Sequence, residues 1–125
     1  MPYLLKSEPD VYSFSDLERD GETVWDGIKN AQALRTLAAM KKGDKLVIYH
    51  SVTGKSAVGK AHVVSVDAAD PKNPVVRIAP DTLLKTPKTL AEMRAAKVFE
   101  GSLLFRQFRL SVVPLTDAQY EWLLR

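Results

Sequence analysis

The feature that most limits the possible folds of this sequence is the alternating stretch Ala57–Val66, which is followed by a turn and a second apolar run. Alternation of apolar and polar residues is typical of a strand that buries one face. Segment 70–74 contains two prolines, an aspartate and an asparagine, and it predicts a hairpin connection to a strand over Val75–Ala79. Gly59 predicts a bulge or a close approach within the first strand. We therefore expect a pair of antiparallel strands in the core of the fold.

The rest of the chain alternates between short apolar segments and helix-start signals. Three further strands are predicted from short apolar segments with β-forming residues: 3–7, 45–51 and 110–115. Three sequences match the capping box and predict helix starts: Ser13–Asp16, Thr89–Glu92 and Thr116–Gln119. A further helix is predicted after Asn30, whereas 103–109 is predicted to be a loop or an extended stretch. These elements predict an α+β domain built on a small, mixed β-barrel with short flanking helices.

Composition excludes several classes of site. A length of 125 residues predicts a single domain over 1–125, and the absence of cysteine excludes disulfides, a thiolate nucleophile and cysteine-ligated zinc. His50 and His62 are far apart in sequence, so we expect neither a metal nor another cofactor. The net charge of +3 permits only local contact with nucleic acid. No stretch reaches the roughly 20 apolar residues of a membrane span, so we expect a cytoplasmic protein without membrane contact. We also expect a monomer.

The segment Val24–Leu34 concentrates the candidate binding chemistry. Trp25 precedes Gly27, which can adopt backbone angles closed to other residues. The helix that starts at Asn30 directs its free N–H groups back toward Trp25, and an aromatic face beside a positive helix end suits a flat or anionic ligand. The alternative is core packing, because a tryptophan beside a glycine turn most often covers an apolar cluster.

Five ordered blocks of the sequence resemble the EVE domain, a member of the PUA-like superfamily. The blocks span nearly the whole chain: Lys6-Ser7-Glu8-Pro9, Trp25-Asp26-Gly27 with Asn30 and Gln32-Ala33, Met40–Asp44, Tyr49-His50-Ser51, and Arg106-Gln107 with Arg109–Pro114. The resemblance implies a pseudo-barrel related to PUA and YTH domains, with an aromatic-lined pocket that accepts a modified nucleobase from DNA or RNA. It also implies a bacterial, stand-alone protein.

The resemblance also implies which residues form the pocket. They lie at two strand ends and at the tryptophan corner: Lys6, Ser7 and Glu8, then Trp25, Asp26, Gly27 and Asn30, then Tyr49, His50 and Ser51. The sequence differs from the commoner family pattern at Ala31, at Leu34-Arg35 and at Phe108.

A base drawn out of a strand loses stacking and hydrogen bonds, which aromatic faces and placed polar groups restore. Trp25 is the stacking candidate. Tyr49 and Phe105 are candidates for further walls, although core packing is the stronger interpretation for both. Hydrogen bonds to the base edge are expected from three side chains: Ser7, Asn30 and Ser51. Contacts to flanking phosphates are expected from four cations, with solvated surface as the alternative: Lys6, Lys29, Arg106 and Arg109.

Two other functions remain open at the level of sequence. An enzyme acting on a nucleotide or modified base would use His50 and Ser51, but neighbouring residues on one strand point to opposite faces, so no catalytic residue is assigned. A small-molecule or protein-interaction domain could use the same pocket, because the charge balance is mild. The favoured function is a non-enzymatic domain that recognises a modified base in DNA or RNA.

Overall fold

The computed structural model describes residues 1–107 and 109–125. Six strands are present in these residues: β1 Tyr3–Ser7, β2 Thr23–Val24, β3 Lys45–His50, β4 Ser56–Asp67, β5 Val75–Thr89 and β6 Val112–Pro114. The same residues contain five helices and a 3₁₀ turn: α1 Phe14–Asp20, α2 Ala31–Ala39, α3 Leu90–Ala95, the turn Lys97–Phe99, α4 Leu103–Arg106 and α5 Asp117–Leu124. Among the described helices, none is long and apolar enough to cross a membrane.

The strands form one mixed sheet in the order β2-β5-β4-β3-β1-β6, which curls into a half-barrel. β1 and β3 are parallel, and every other neighbouring pair is antiparallel. Four consecutive residues of β3, Leu46–Tyr49, are buried, so this central strand is covered on both faces. The α+β fold on a mixed, barrel-like sheet that the sequence predicted is confirmed.

The β4–β5 hairpin forms the longest pairing in the sheet. The predicted position of Gly59 as a point of close approach is confirmed, because a Cβ atom there would clash with the ring of Phe14. The predicted end of β5 at Ala79 is wrong, since the strand continues to Thr89. Pro80 cannot donate to the ladder, and the sheet accommodates it by a register shift between Lys60 and Ala61.

Local capping signals predicted the helices well. All three capping boxes form, and Gly21 ends α1 in the left-handed conformation. The prediction of a loop or extended stretch over 103–109 is wrong for α4, whose first turn is capped by the Ser102 hydroxyl accepting from the Leu104 N–H at 3.1 Å. The predicted last strand, 110–115, shortens to Val112–Pro114. Phe108 lies outside the described residues.

Candidate functional site

A cavity of about 580 Å³ opens where the end of β1 meets the corner that follows β2. Its lining comes from three separate segments: Lys6, Ser7, Glu8, Val11 and Tyr12, then Thr23, Val24, Trp25, Asp26, Gly27 and Ile28, and finally Ser111. This volume lies within the range of pockets that hold small organic molecules. The structure therefore brings together six of the predicted pocket residues, which are Lys6, Ser7, Glu8, Trp25, Asp26 and Gly27.

The tryptophan corner is held at both of its ends by hydrogen bonds from backbone N–H groups. The Trp25 N–H donates to the Val76 carbonyl at 2.8 Å, and Gly27 has a φ of +76°. Asn30 then caps α2, with its Oδ1 accepting from the Ala33 N–H at 3.0 Å. Trp25 is only 8% exposed and belongs to the hydrophobic core cluster, yet it also lines the cavity. The sequence left core packing and a place in the binding site as alternatives for Trp25. In the structure, Trp25 both packs in the core and lines the cavity.

Tyr12 provides a second aromatic ring, which the sequence interpretation did not include. Its ring meets Trp25 edge to face, with centroids 6.3 Å apart and an interplanar angle of 77°. Its hydroxyl donates to Asp20 Oδ2 at 2.8 Å, and its carbonyl accepts from the Ser7 hydroxyl. Burial and the bond to Asp20 raise the pKa of Tyr12, so the hydroxyl stays protonated. Its position immediately before the capping box at Ser13 was the available sequence signal.

The charged groups of the cavity are unequally exposed. Glu8 and Asp26 are exposed, whereas Lys6 is partly buried and burial lowers its pKa. The Lys6 N–H donates to the Ser111 carbonyl at 2.9 Å, which places the end of β1 beside Ser111. The Lys6 Nζ lies 5.9 Å from the centroid of the Tyr49 ring. The cavity therefore combines carboxylates in contact with solvent and an ammonium group at a partly desolvated position.

Five residues predicted for the pocket lie outside this cavity lining: Asn30, Tyr49, His50, Ser51 and Phe105. Tyr49 is 3% exposed, because its strand β3 is buried on both faces. Phe105 lies on α4 and packs edge to face with Phe99, with centroids 6.4 Å apart. Asn30 uses its side-chain oxygen to cap α2. Their roles in ligand binding stay predictions.

The His50-Ser51 pair supports the neighbouring loops. His50 Nε2 accepts from the Phe14 N–H at 3.1 Å, and burial lowers the pKa of His50, so the neutral ring that this hydrogen bond requires is favoured. The Ser51 N–H donates to the Ser7 carbonyl at 2.9 Å. The pair thus connects the end of β3 to α1 and to the cavity-lining residue Ser7.

Of the four cations predicted to contact phosphates, Lys6 is partly buried and lines the cavity, whereas the other three are on the surface. Lys29 directly follows the cavity-lining residue Ile28, while Arg106 ends α4 and Arg109 precedes β6. All three side chains are exposed, and their contacts with phosphates stay predictions. No group of three or more potential metal ligands of the His, Cys, Asp or Glu type occurs within the described part of the chain.

Six lining residues were missed by sequence reasoning: Val11, Tyr12, Thr23, Val24, Ile28 and Ser111. Two of them flank the recognised corner, and Ser111 belongs to a block that resembled the family without receiving a role. Apart from Tyr12, these residues reach the cavity through loop conformation and sheet pairing, which local patterns do not encode. Together with Trp25 they can enclose a flat molecule between aromatic faces and polar groups.

Comparison with known proteins gives consistent matches along the chain. The family model described as EVE domain matches residues 2–125. Human thymocyte nuclear protein 1 is 29% identical to this chain in a match that covers 98% of this chain and 72% of that protein. A crystal structure of a protein from Agrobacterium tumefaciens matches with 32% identity and a TM-score of 0.92, covering 99% of this chain and 90% of that one. The crystal structure of human THYN1 protein in complex with 5-methylcytosine containing DNA matches with 29% identity and a TM-score of 0.83, covering 98% and 95%.

Proposed function

This chain belongs to the EVE domain family, and we propose that it binds nucleic acid by taking one modified base into the cavity beside Trp25. The observation that carries the proposal is the similarity over 98% of the chain to human THYN1 protein, whose crystal structure contains DNA with 5-methylcytosine. We propose 5-methylcytosine in DNA as the first ligand to test, with the same base in RNA as the second.

The aromatic rings supply the stacking that an extracted base would need. Trp25 and Tyr12 both line the cavity and meet edge to face, so a base lying against the indole would also contact the edge of the tyrosine ring. Stacking on an aromatic side chain contributes about 1–3 kcal/mol per base. Since Tyr12 is anchored through its hydroxyl and its carbonyl, little conformational entropy remains to be lost on binding.

The distribution of charge favours a base inside the cavity and phosphates outside it. Glu8 and Asp26 would repel a phosphate, but a carboxylate can accept hydrogen bonds from the amino group of cytosine. Lys29, which follows the lining residue Ile28, is exposed and could contact a flanking phosphate. The backbone would therefore remain at the surface while the base enters.

We propose binding without catalysis. The His50 Nε2 that a general base would use accepts from the Phe14 N–H, and His50 and Ser51 lie outside the lining of the cavity. A base needs a free lone pair within reach of the proton that it removes. The structural role of this pair accounts for both residues without a reaction.

The test is binding to matched DNA and RNA oligonucleotides that carry cytosine, 5-methylcytosine, 5-hydroxymethylcytosine or methylated adenine. Titrations at two salt concentrations separate phosphate attraction from recognition of the base. Trp25→Ala should weaken binding of the preferred oligonucleotide by about tenfold to a hundredfold. Trp122→Ala is the matched control, since Trp122 packs against Phe99 and does not line this cavity.

Preference for one modified base, lost in Trp25→Ala and kept in Trp122→Ala, would support the proposal. Equal, salt-sensitive binding of all oligonucleotides would contradict recognition of a base. Accumulation of a modified product would instead favour an enzyme, and binding of free small molecules in preference to oligonucleotides would favour a sensor.

A further inference from the structure

Two strongly exposed valines lie on the loops that follow the parallel strands β1 and β3. Val11 is 76% exposed and Val52 is 65% exposed. The other exposed large apolar residues in the described chain are Met1, Val75 and Leu83. Single exposed apolar residues are common on protein surfaces, so exposure by itself carries no function. Their position and backbone conformation distinguish these two valines.

Ser7 holds both valine-bearing loops. Its hydroxyl donates to the carbonyl of Tyr12, which follows Val11, and its carbonyl accepts from the N–H of Ser51, which precedes Val52, at 2.9 Å. Ser7 and Val11 both line the cavity. The two valines are therefore presented by loops that are fastened to the same residue in the cavity wall.

The loop that carries Val11 is a fixed turn. The Glu8 carbonyl accepts from the N–H groups of Val11 at 3.0 Å and Tyr12 at 2.8 Å. Pro9 occupies the second position of this turn, where its ring sets the φ angle that such turns require. An apolar side chain on a fixed turn, displayed to solvent at the edge of a cavity, is preorganised for contact with a ligand that extends out of that cavity.

The backbone at Val52 is strained. Val52 has a φ of +67°, although β-branched residues rarely enter the left-handed region. The Thr53 N–H donates to the Ser51 carbonyl at 2.7 Å, which closes a tight turn around this valine. Because Val52 is mostly exposed, burial of its side chain provides little compensation for the strain. Strain of this kind is concentrated at functional sites.

Resting on the proposed function, we infer that Val11 and Val52 form an apolar clamp that packs on the nucleotides next to the base held in the cavity. When one base leaves a stack, the faces of its neighbours lose their stacking partners, and apolar side chains can occupy the vacated space. Val11 is placed for this contact because it lines the cavity and faces solvent at the same time. Val52 adds a second exposed apolar side chain, on the other loop fastened to Ser7.

The clamp makes a prediction that distinguishes it from the cavity. The cavity contacts the modified base, whereas the valine clamp contacts the neighbouring bases. The contribution of the clamp should therefore disappear when the nucleotides on both sides of the modified base are abasic, while recognition of the modified base itself persists.

The experiment measures the affinity of three variants for the preferred oligonucleotide and for its counterpart with abasic neighbours. Val11→Thr keeps the shape of the side chain and replaces one methyl group by a hydroxyl, and Val52→Asn introduces a residue that tolerates the left-handed conformation. Val75→Thr is the matched control, since Val75 is 44% exposed on β5 and does not line the cavity. Thermal unfolding of each variant reports whether the fold is retained.

We expect Val11→Thr and Val52→Asn each to weaken binding of the intact oligonucleotide by roughly threefold to tenfold, the effect of losing a small apolar contact. Val52→Asn should leave the affinity for the abasic counterpart unchanged, because Val52 does not line the cavity. Val11→Thr should weaken binding of the abasic counterpart less than binding of the intact oligonucleotide, and Val75→Thr should match the wild type on both. Val52→Asn should unfold at an unchanged or higher temperature because it relieves strain.

Two results would overturn the clamp alone. The first is that both valine variants bind the intact oligonucleotide as tightly as the wild type does. The second is that the variants lose as much affinity for the abasic counterpart as for the intact oligonucleotide. If the wild-type protein shows no preference for any modified base, the proposed function fails and the clamp fails with it. The base preference of the wild type thus separates the two failures.

Discussion

The two tryptophans of this protein have opposite surroundings, and burial alone does not reveal which of them could bind a ligand. Trp25 is the more buried, at 8% exposure, yet it lines the cavity. Trp122 is half-buried on α5 and packs edge to face on Phe99, with centroids 5.4 Å apart. The Nζ of Lys88 lies 5.8 Å from the centroid of the Trp122 ring. What distinguishes the two is the empty volume beside Trp25, while the neighbours of Trp122 are other side chains of the chain.

The environment of Trp122 is that of a structural residue. Lys88 is only 8% exposed, and its ammonium group donates to the carbonyl oxygens of Thr86 at 3.0 Å and Arg125 at 2.6 Å. Such a buried charge is tolerated because these bonds replace its hydration. The α5 cluster of Phe99, Trp122 and Lys88 therefore connects the last helix to the long strand β5, and its contribution should be to stability.

The largest effect that we predict is on the stability of this cluster. Trp122→Ala should reduce the free energy of unfolding by about 2–3 kcal/mol, because it removes a large, half-buried ring and leaves a void beside Phe99. Urea denaturation measures the loss. Affinity for the preferred oligonucleotide should remain within about twofold of the wild type, and a larger loss would contradict the division of roles between the tryptophans.

The second effect concerns the cavity. Trp25→Phe keeps an aromatic side chain but reduces the stacking surface, so affinity for the preferred oligonucleotide should fall by about tenfold, at the lower end of the contribution of base stacking. Trp122→Phe should leave the affinity unchanged. The two variants can be compared by fluorescence anisotropy under the same conditions. Equal affinities of both variants would show that Trp25 does not contact the base.

The third effect separates a cap from a ligand contact. Asn30 was predicted to read the base edge, but its side-chain oxygen accepts from the Ala33 N–H. Asn30→Ala should lower the free energy of unfolding by about 1 kcal/mol, as expected for the loss of a helix cap, with little change in affinity. Thr116→Ala removes the corresponding cap of α5 and is the matched control. A loss of affinity in the Asn30 variant alone would restore the predicted role of this residue.

The sequence predicted those parts of the fold that depend on local chemistry. The capping box that starts at Ser13 specifies a helix start because its hydrogen bonds join residues three apart, and the glycine at Gly59 leaves room that Phe14 occupies. Helix α4 was not predicted from the sequence, because its N-cap Ser102 has no acidic residue three positions later to complete a capping box. Short capped turns of this kind carry a weak sequence signal.

The candidate site was predicted where one segment of the chain carries it and was missed where long-range pairing assembles it. Trp25, Asp26 and Gly27 follow one another, so one sequence block places all three. Ser111 reaches the cavity through long-range pairing, since its carbonyl accepts from the Lys6 N–H. Tyr49 also depends on pairing, because its register with Lys6 in the parallel strands puts it in the core. Sequence blocks named these residues without fixing their orientation.

The smallest effect that we predict is a pH dependence from His50. Burial holds the pKa of His50 in the folded protein below its ordinary value of 6.5. At a pH between the folded-state pKa and 6.5, the unfolded chain therefore binds more protons than the folded one. The stabilisation from the neutral ring is complete above pH 6.5, and it is lost as the pH falls through the lower pKa of the folded state. Protonation would also remove the acceptor from the Phe14 N–H.

His50→Gln tests this linkage because the glutamine oxygen can still accept from Phe14 but does not titrate. At pH 8 the two proteins should differ by less than about 1 kcal/mol in the free energy of unfolding, since the hydrogen bond is replaced. Between pH 7 and pH 5 the wild type should lose more stability than the variant, and urea denaturation at each pH measures the difference. Parallel curves would mean that His50 titrates alike in both states. A steeper loss in the wild type would connect the protonation of His50, which lies outside the cavity lining, to the stability of the start of α1, because the Phe14 N–H donates to this histidine.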